Sequence, residues 1–207
     1  MSSPQKPKVL LSAGMIQGGR SGVGRYVVEL ARRLAAFPDF EVHVAGLASD
    51  RELFSTIADA RWLPIPEPFA GGVRNLWWHQ WALPGHLRRG GYALLHIPSY
   101  RRIIARSPIH QVATIHDCAP FRLRDKYDRW RGLFGRQLVP PLARRCARVI
   151  AVSEFTAGDL RAFMGIALER LRVVLNGIDH TRYRPATDAA IAAFCQRQGL
   201  SAPFFLY

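Results

Sequence analysis

Acidic side chains are scarce in this sequence. Only 15 Asp and Glu stand against 29 Lys and Arg, a formal net charge of +14 over 207 residues. That balance asks for an acidic partner, such as nucleic acid, anionic lipid or a phosphorylated substrate, without choosing among them. Cysteine is scarcer still: Cys118, Cys146 and Cys195 are an odd number at wide spacing with no Cys-x-x-Cys pair. A disulfide framework and a zinc knuckle are therefore not indicated, and a reducing, cytoplasmic setting is the simplest reading. No apolar run approaches the ~20 residues that cross a bilayer, and residues 1–8 are short, polar and proline-containing, so the protein is soluble or sits on a membrane surface. No helix-turn-helix, zinc-finger or single-strand-binding pattern accompanies the charge, which argues against nucleic acid. Internal repeats and low-complexity segments are also missing.

What is present is the composition of a globular protein, 49% hydrophobic and 11% aromatic, long enough for one large domain or a domain with part of another. The chain is organised around its first stretch, where Val9-Leu10-Leu11 passes through a glycine-rich loop at residues 14–24 into helical periodicity. Val23, Tyr26, Val27, Leu30, Ala31 and Leu34 share one face, and Arg25, Glu29, Arg32 and Arg33 the other. Ser21 is the expected N-cap. Gly18, Gly19, Gly22 and Gly24 allow close backbone approach, and the amides of Gly22, Val23 and Gly24 are expected to point outward at the positive end of the helix dipole, a site for phosphate. The P-loop ending Gly-Lys-Ser/Thr is absent, however, and the dinucleotide spacing fails because Val27 stands where a third glycine is needed. By glycine content alone, a tight turn without ligand is an equally good reading.

Further along, strands are expected at residues 41–45, 61–65, 92–97, 111–115, 149–152 and 171–175. Helices are expected at 52–58, 75–89 and 153–163, with a basic helical region at 125–148 interrupted by Pro140-Pro141. Strands alternating with helices predict an α/β fold, a doubly wound parallel sheet whose ligands sit at the carboxyl ends of the strands. The polar residues just past those ends are the ones to examine: the glycine loop, His96, His116-Asp117, Ser153 and Asn176-Gly177. A lone histidine is by itself more often structural than reactive. Ser153 and Thr156 read as helix caps, and Asn176-Gly177 as a turn.

Four motifs carry a resemblance: Gly18-Gly19-Arg20-Ser21-Gly22-Val23-Gly24-Arg25-Tyr26, Thr114-Ile115-His116-Asp117-Cys118-Ala119-Pro120, Val149-Ile150-Ala151-Val152-Ser153-Glu154-Phe155-Thr156 and Val173-Val174-Leu175-Asn176-Gly177-Ile178-Asp179. In this order and spacing the chain resembles the N-terminal half of a family four retaining glycosyltransferase of the two-domain B-type fold, Rossmann-like in each half. Residues 1–184 would be the acceptor-binding domain. Residues 185–207 would be the linker and start of the donor-binding domain, since Arg182-Tyr183-Arg184-Pro185 resembles the family's linker. The resemblance implies a nucleotide-sugar donor, a glycan or polyprenyl-linked acceptor, retention of configuration and no obligatory metal or other cofactor. It places the donor diphosphate against Gly18, Gly19, Ser21, Gly22, Val23, Gly24 and Arg25. His116 falls beside the donor sugar and acceptor hydroxyl, with Asp117 as its orienting partner. Because the C-terminal domain is missing from these residues, the chain alone is expected to be inactive. The alternative is a catalytically inactive basic binding module of the same fold.

A second concentration of signal lies at residues 122–148, where eight Arg and one Lys face Asp125 and Asp128, a local excess of +7, with Phe121, Tyr127, Trp130 and Phe134 interleaved. Most such runs are solvated helix faces. Here an anionic membrane surface is the competing partner, extended by Trp77, Trp78, Trp81, Arg88 and Arg89, which gives a peripheral location on the inner face of the cell membrane. At the end, residues 188–199 read as a helix and 203–207 as an apolar strand cut short, as though the chain were the first half of a larger protein.

Overall fold

The computed structural model describes residues 6–123, 132–181 and 183–201. It divides into two units, Met1–Leu175 and Asn176–Tyr207. In the first unit the apolar runs become seven strands: β1 Lys8–Ser12, β2 Glu41–Leu47, β3 Ala60–Ile65, β4 Tyr92–Ile97, β5 His110–Ile115, β6 Arg148–Ala151 and β7 Leu171–Val173. They form one parallel sheet in the order β3-β2-β1-β4-β5-β6-β7, the expected doubly wound architecture. Both faces are covered. Leu10 packs with Trp78, Leu83, Leu87 and Leu95, whereas its neighbour Leu11 packs with Val27, Ala31 and Val44 on the opposite side. Strand order reverses between β1 and β4, so the crevice beyond their carboxyl ends is where this topology opens a site.

Helix α1, Gly22–Ala35, starts where Ser21 Oγ accepts the Gly24 amide at 3.0 Å, and Arg32 and Arg33 complement the dipole in its last turn. The α-helix expected at residues 52–58 is instead a 3₁₀ segment at Ala48–Phe54. Its Asp50 is buried and accepts the Gly18 amide at 2.9 Å, which draws the segment into tight turns against the glycine loop.

The crossover from β3 to β4 is one helical rod in three parts, α2 Gly72–Trp77, a wide π turn Trp78–Ala82, and α3 Leu83–Gly90. The wide turn precedes Pro84, and Leu83 N donates to Trp78 O five residues back. A proline ring collides with the carbonyl four residues earlier in a regular helix, and the extra residue relieves that clash. Past the short α4, Ala119–Arg122, the same device recurs: a π turn at Phe134–Leu138 leads into α5, Val139–Arg144. The interruption expected at Pro140-Pro141 takes the form of this π turn, and both prolines lie in the first turn of α5, where their missing amides leave no gap.

Ser153 caps α6, Glu154–Met164, and β7 stops at Val173 rather than 175, because its partner β6 has already ended at Ala151. In the second unit, α7 spans Asp188–Gln198, with Thr187 Oγ1 accepting from Ala190 N. Residues 124–131, among them Tyr127 and Trp130, together with Arg182 and the terminal strand expected at 203–207, lie outside the described residues. Among the described residues no helix is long and apolar enough to cross a membrane. Trp78 is 1% exposed, so it leaves the surface group in which the sequence placed it and joins the core.

Candidate functional site

The glycine loop leaves β1 at Ser12. Gly18 and Gly19 hold φ of 69° and 71°, a left-handed turn that disfavours a side chain. Gly24 fits for a different reason: a Cβ there would stand 2.8 Å from Ile16 O and 3.0 Å from Gly19 Cα, both backbone. The loop is thus folded back on its own entry. Its amides are not all available to a ligand. Gly18 N donates to Asp50, Gly19 N to Ile16 O, and Gly24 N to the Ser21 cap, which corrects the expectation that Gly24 points outward. The amides of Gly22 and Val23 meet no acceptor among the described residues and remain at the positive end of α1. Arg20 and Arg25 are exposed beside them, and Ser21 is occupied as the cap.

The second wall is the corner after β5. His116 is half-buried, and its Nε2 lies 3.2 Å from the Pro98 carbonyl. A carbonyl only accepts, so Nε2 carries the proton and Nδ1 is left as an acceptor. Burial lowers the His116 pKa below 6.5, against smaller upward pulls from the Pro98 bond and from Asp117. At neutral pH the ring is an uncharged hydrogen-bond acceptor. Asp117 also shapes the turn by accepting the Ala119 amide at 2.9 Å. The His116 carbonyl accepts from Thr156 Oγ1 at 3.3 Å, and Thr156 in turn receives Ser153 Oγ at 3.0 Å. The Ser153 cap therefore ties α6 to the backbone of this corner.

Tyr26 joins the two walls. From the second turn of α1 its ring meets His116 edge-on, with centroids 4.9 Å apart and planes at 87°. Its hydroxyl reaches Thr114 Oγ1 at 3.2 Å, and Thr114 bonds His96 Nε2 at 2.8 Å. His96 is buried, and desolvation, with His116 nearby, pushes its pKa down to about 4. It supports the corner from below and does not line a cleft. Behind β1 a matching set holds the exit of the strand. His79 is fully buried, its pKa is lowered by desolvation to about 4, and Nδ1–H donates to Asn75 O at 2.7 Å. Its Nε2 then accepts from Ser12 Oγ at 2.8 Å. Arg102 donates from Nε to Asn75 Oδ1 at 2.7 Å and from Nη2 to Gly72 O at 3.0 Å.

The structure thus brings Ser21, Gly22, Val23, His116, Asp117 and Ser153 to the carboxyl-end side of one sheet, with His96 beneath. Asn176 is exposed and belongs to the second unit. Sequence reasoning missed Tyr26, Thr114, His79 and Arg102 as members of the arrangement. Tyr26 and Thr114 carried a signal, since each stands in one of the quoted motifs; His79 and Arg102 did not. Among the described residues no group of three His, Cys, Asp or Glu is placed to hold a metal.

Solved structures share this fold. A glycosyltransferase from Rickettsia africae ESF-5 aligns over 95% of this chain with TM-score 0.55 and 14% identity. Anabaena Alr3699/HepE, solved with UDP and glucose and again with UDP-glucose, aligns over 94% and 93% with TM-score 0.60 and 16% identity. The chain spans about half the length of each, 50%. A family model for Glycosyltransferase Family 4 matches residues 20–182, and the chain belongs to that family. No curated protein matches it by sequence.

Proposed function

We propose that the chain is the N-terminal, acceptor-binding portion of a glycosyltransferase that moves a sugar from a nucleotide sugar to a glycan or lipid-linked acceptor with retention. One observation carries the reading: His116, neutral and with Nδ1 left as an acceptor, stands at the end of β5 against the helix that follows the glycine loop. In the reaction the bond from the anomeric carbon to the diphosphate breaks, and an acceptor oxygen bonds to that carbon as its proton passes to the departing diphosphate. Charge builds on the departing diphosphate. The Gly22 and Val23 amides, with Arg20 and Arg25 nearby, are suited to stabilise that charge without a metal, and His116 Nδ1 can accept a hydrogen bond from a sugar hydroxyl. The UDP and UDP-glucose in the Anabaena structures make uridine diphosphate sugars the first donors to try. Residues 1–184 form the acceptor lobe in this reading, and 185–207 lead into the donor lobe. The work is done at the cytoplasmic face of a membrane.

In a protein with both lobes, His116→Ala is expected to lower turnover by ~10²-fold or more with a native circular dichroism spectrum. Activity near wild type would return His116 to a structural role, whereas no transfer at all by the two-lobed protein would favour a basic binding module of the same fold. The 207-residue chain should bind uridine diphosphate glucose only weakly in calorimetry, because a single open wall offers few contacts against the entropy of holding a ligand. Tight binding by this chain alone would move the donor grip into these residues.

A further inference from the structure

The rod from α2 to α3 has an outer face that the site does not use. Its inner face is core, with Asn75, Trp78, His79, Leu83 and Leu87 buried. Outside, Val73, Trp77 and Trp81 follow at four-residue spacing and are 83%, 54% and 69% exposed. Trp77 stacks on Phe69 at 6.1 Å and 3°, and Trp81 follows Trp77 at 6.5 Å, so the aromatic strip runs on from the preceding loop. The row ends in Arg89, whose guanidinium folds back to 3.4 Å from where a Cβ on Gly85 would stand. Arg74 and Arg88 are exposed on the same rod. Residues 72–90 contain three Arg and no Asp or Glu. The next acid before them in the sequence, Glu67, is turned to the Ser49 amide at 3.4 Å.

We propose that this face seats the protein on a membrane surface containing anionic lipid, with Trp77 and Trp81 at headgroup level and Arg74, Arg88 and Arg89 against lipid phosphates. Indole and guanidinium without intervening carboxylates are what the headgroup region favours. A second copy is the poorer occupant. Three large apolar side chains on one helix fall far short of the ~20–30 residues a side of a stable dimer, and a twofold contact would face this arginine row with its own image. Among the described residues of the other basic stretch, Arg122 is paired with Asp159, Arg136 Nη1 is bonded to Pro120 O and Arg144 Nη1 to Met164 O. A crossover helix runs opposite to its strands, so Gly72, held by Arg102, lies at the carboxyl edge. The seat therefore sets the crevice beside the bilayer. This assigns a surface to the membrane partner of the proposed function, and it stands whether or not the protein transfers sugar.

Cosedimentation of the 207-residue chain with vesicles tests it. Binding is expected to phosphatidylcholine mixed with an equal part of phosphatidylglycerol, weaker in high salt, with tryptophan emission quenched by brominated acyl chains. Trp77→Ser with Trp81→Ser should lower partitioning about tenfold or more, and Arg88→Gln with Arg89→Gln by a similar factor, both with native circular dichroism. Equal binding to pure phosphatidylcholine would overturn the proposal. So would an unchanged partition of the tryptophan pair, or a pair that alters sedimentation mass while lipid binding persists.

Discussion

The glycine loop and the His116 corner stand at exits of the same sheet and are built by opposite means. The loop is a backbone object: two left-handed glycines, a third pressed against Ile16 O, and one serine closing the helix. The corner is a side-chain object, in which Tyr26, Thr114, His96, Pro98 and Thr156 converge from four elements and one loop to fix one imidazole. Each wall rests on a buried, uncharged histidine, His79 behind the first and His96 behind the second. A wall made of main chain tolerates few changes of shape. A wall made of side chains tolerates shape changes better than changes of protonation.

Acid should strain both walls hardest. His79 and His96 have folded-state pKa values of about 4, below the 6.5 of an unfolded histidine. The unfolded chain therefore binds protons first as pH falls. The stability that keeping these rings neutral lends is complete above about pH 6.5, drains away toward about pH 4 and is flat below, at about 3 kcal/mol for each ring. Denaturant midpoints at about pH 7 and about pH 4 measure it. Equal midpoints would mean that the two rings do not titrate between the folded and unfolded states.

Gly24→Ala comes next, because the added methyl meets backbone that cannot swing away. A loss of about 1–3 kcal/mol is expected in urea denaturation. Tyr26→Phe removes one hydroxyl bond and keeps the ring edge on His116, so it should cost about 1 kcal/mol and leave the His116 titration near its wild-type value by NMR. A large shift in that titration would show that the hydroxyl, and not the ring, holds the corner. Gly22→Ala sharpens the contrast most gently. Nothing lies within 4 Å of the new methyl, so the change should be neutral or stabilising by up to ~1 kcal/mol. A loss comparable to Gly24→Ala would mean that the loop resists any side chain.

This contrast also accounts for how much could be read beforehand. Apolar runs, helical spacing and the Ser21 cap are local signals, and they yielded the parallel sheet, α1 and the position of the loop. His116 could be placed because it follows an apolar strand. Its tautomer could not, since that depends on the Pro98 carbonyl eighteen positions away, across a strand pairing that no short window contains. Asp50 escaped notice for the same reason: its partner, the Gly18 amide, lies thirty-two positions off. Trp77 and Trp78 are adjacent letters with opposite fates, and only the turn of the helix separates the exposed ring from the buried one.

The wide turns before Pro84 and Val139 have a consequence that is easiest to state as an edit to the gene. Each amounts to one codon more than a regular helix needs, so everything after it in the rod is rotated by about 100° relative to the residues before. Deleting the Ala82 codon would keep the reading frame and every chemical group of the site, yet swing Leu83 and Leu87 off the sheet and press Pro84 into the carbonyl behind it. The same deletion in the segment at residues 66–71, which carries the 3₁₀ turn Glu67–Phe69 ahead of the rod, would leave the phase of Leu83 and Leu87 relative to the rest of the rod unchanged. Length is tightly specified at one point of this crossover and loosely at another only a few residues away.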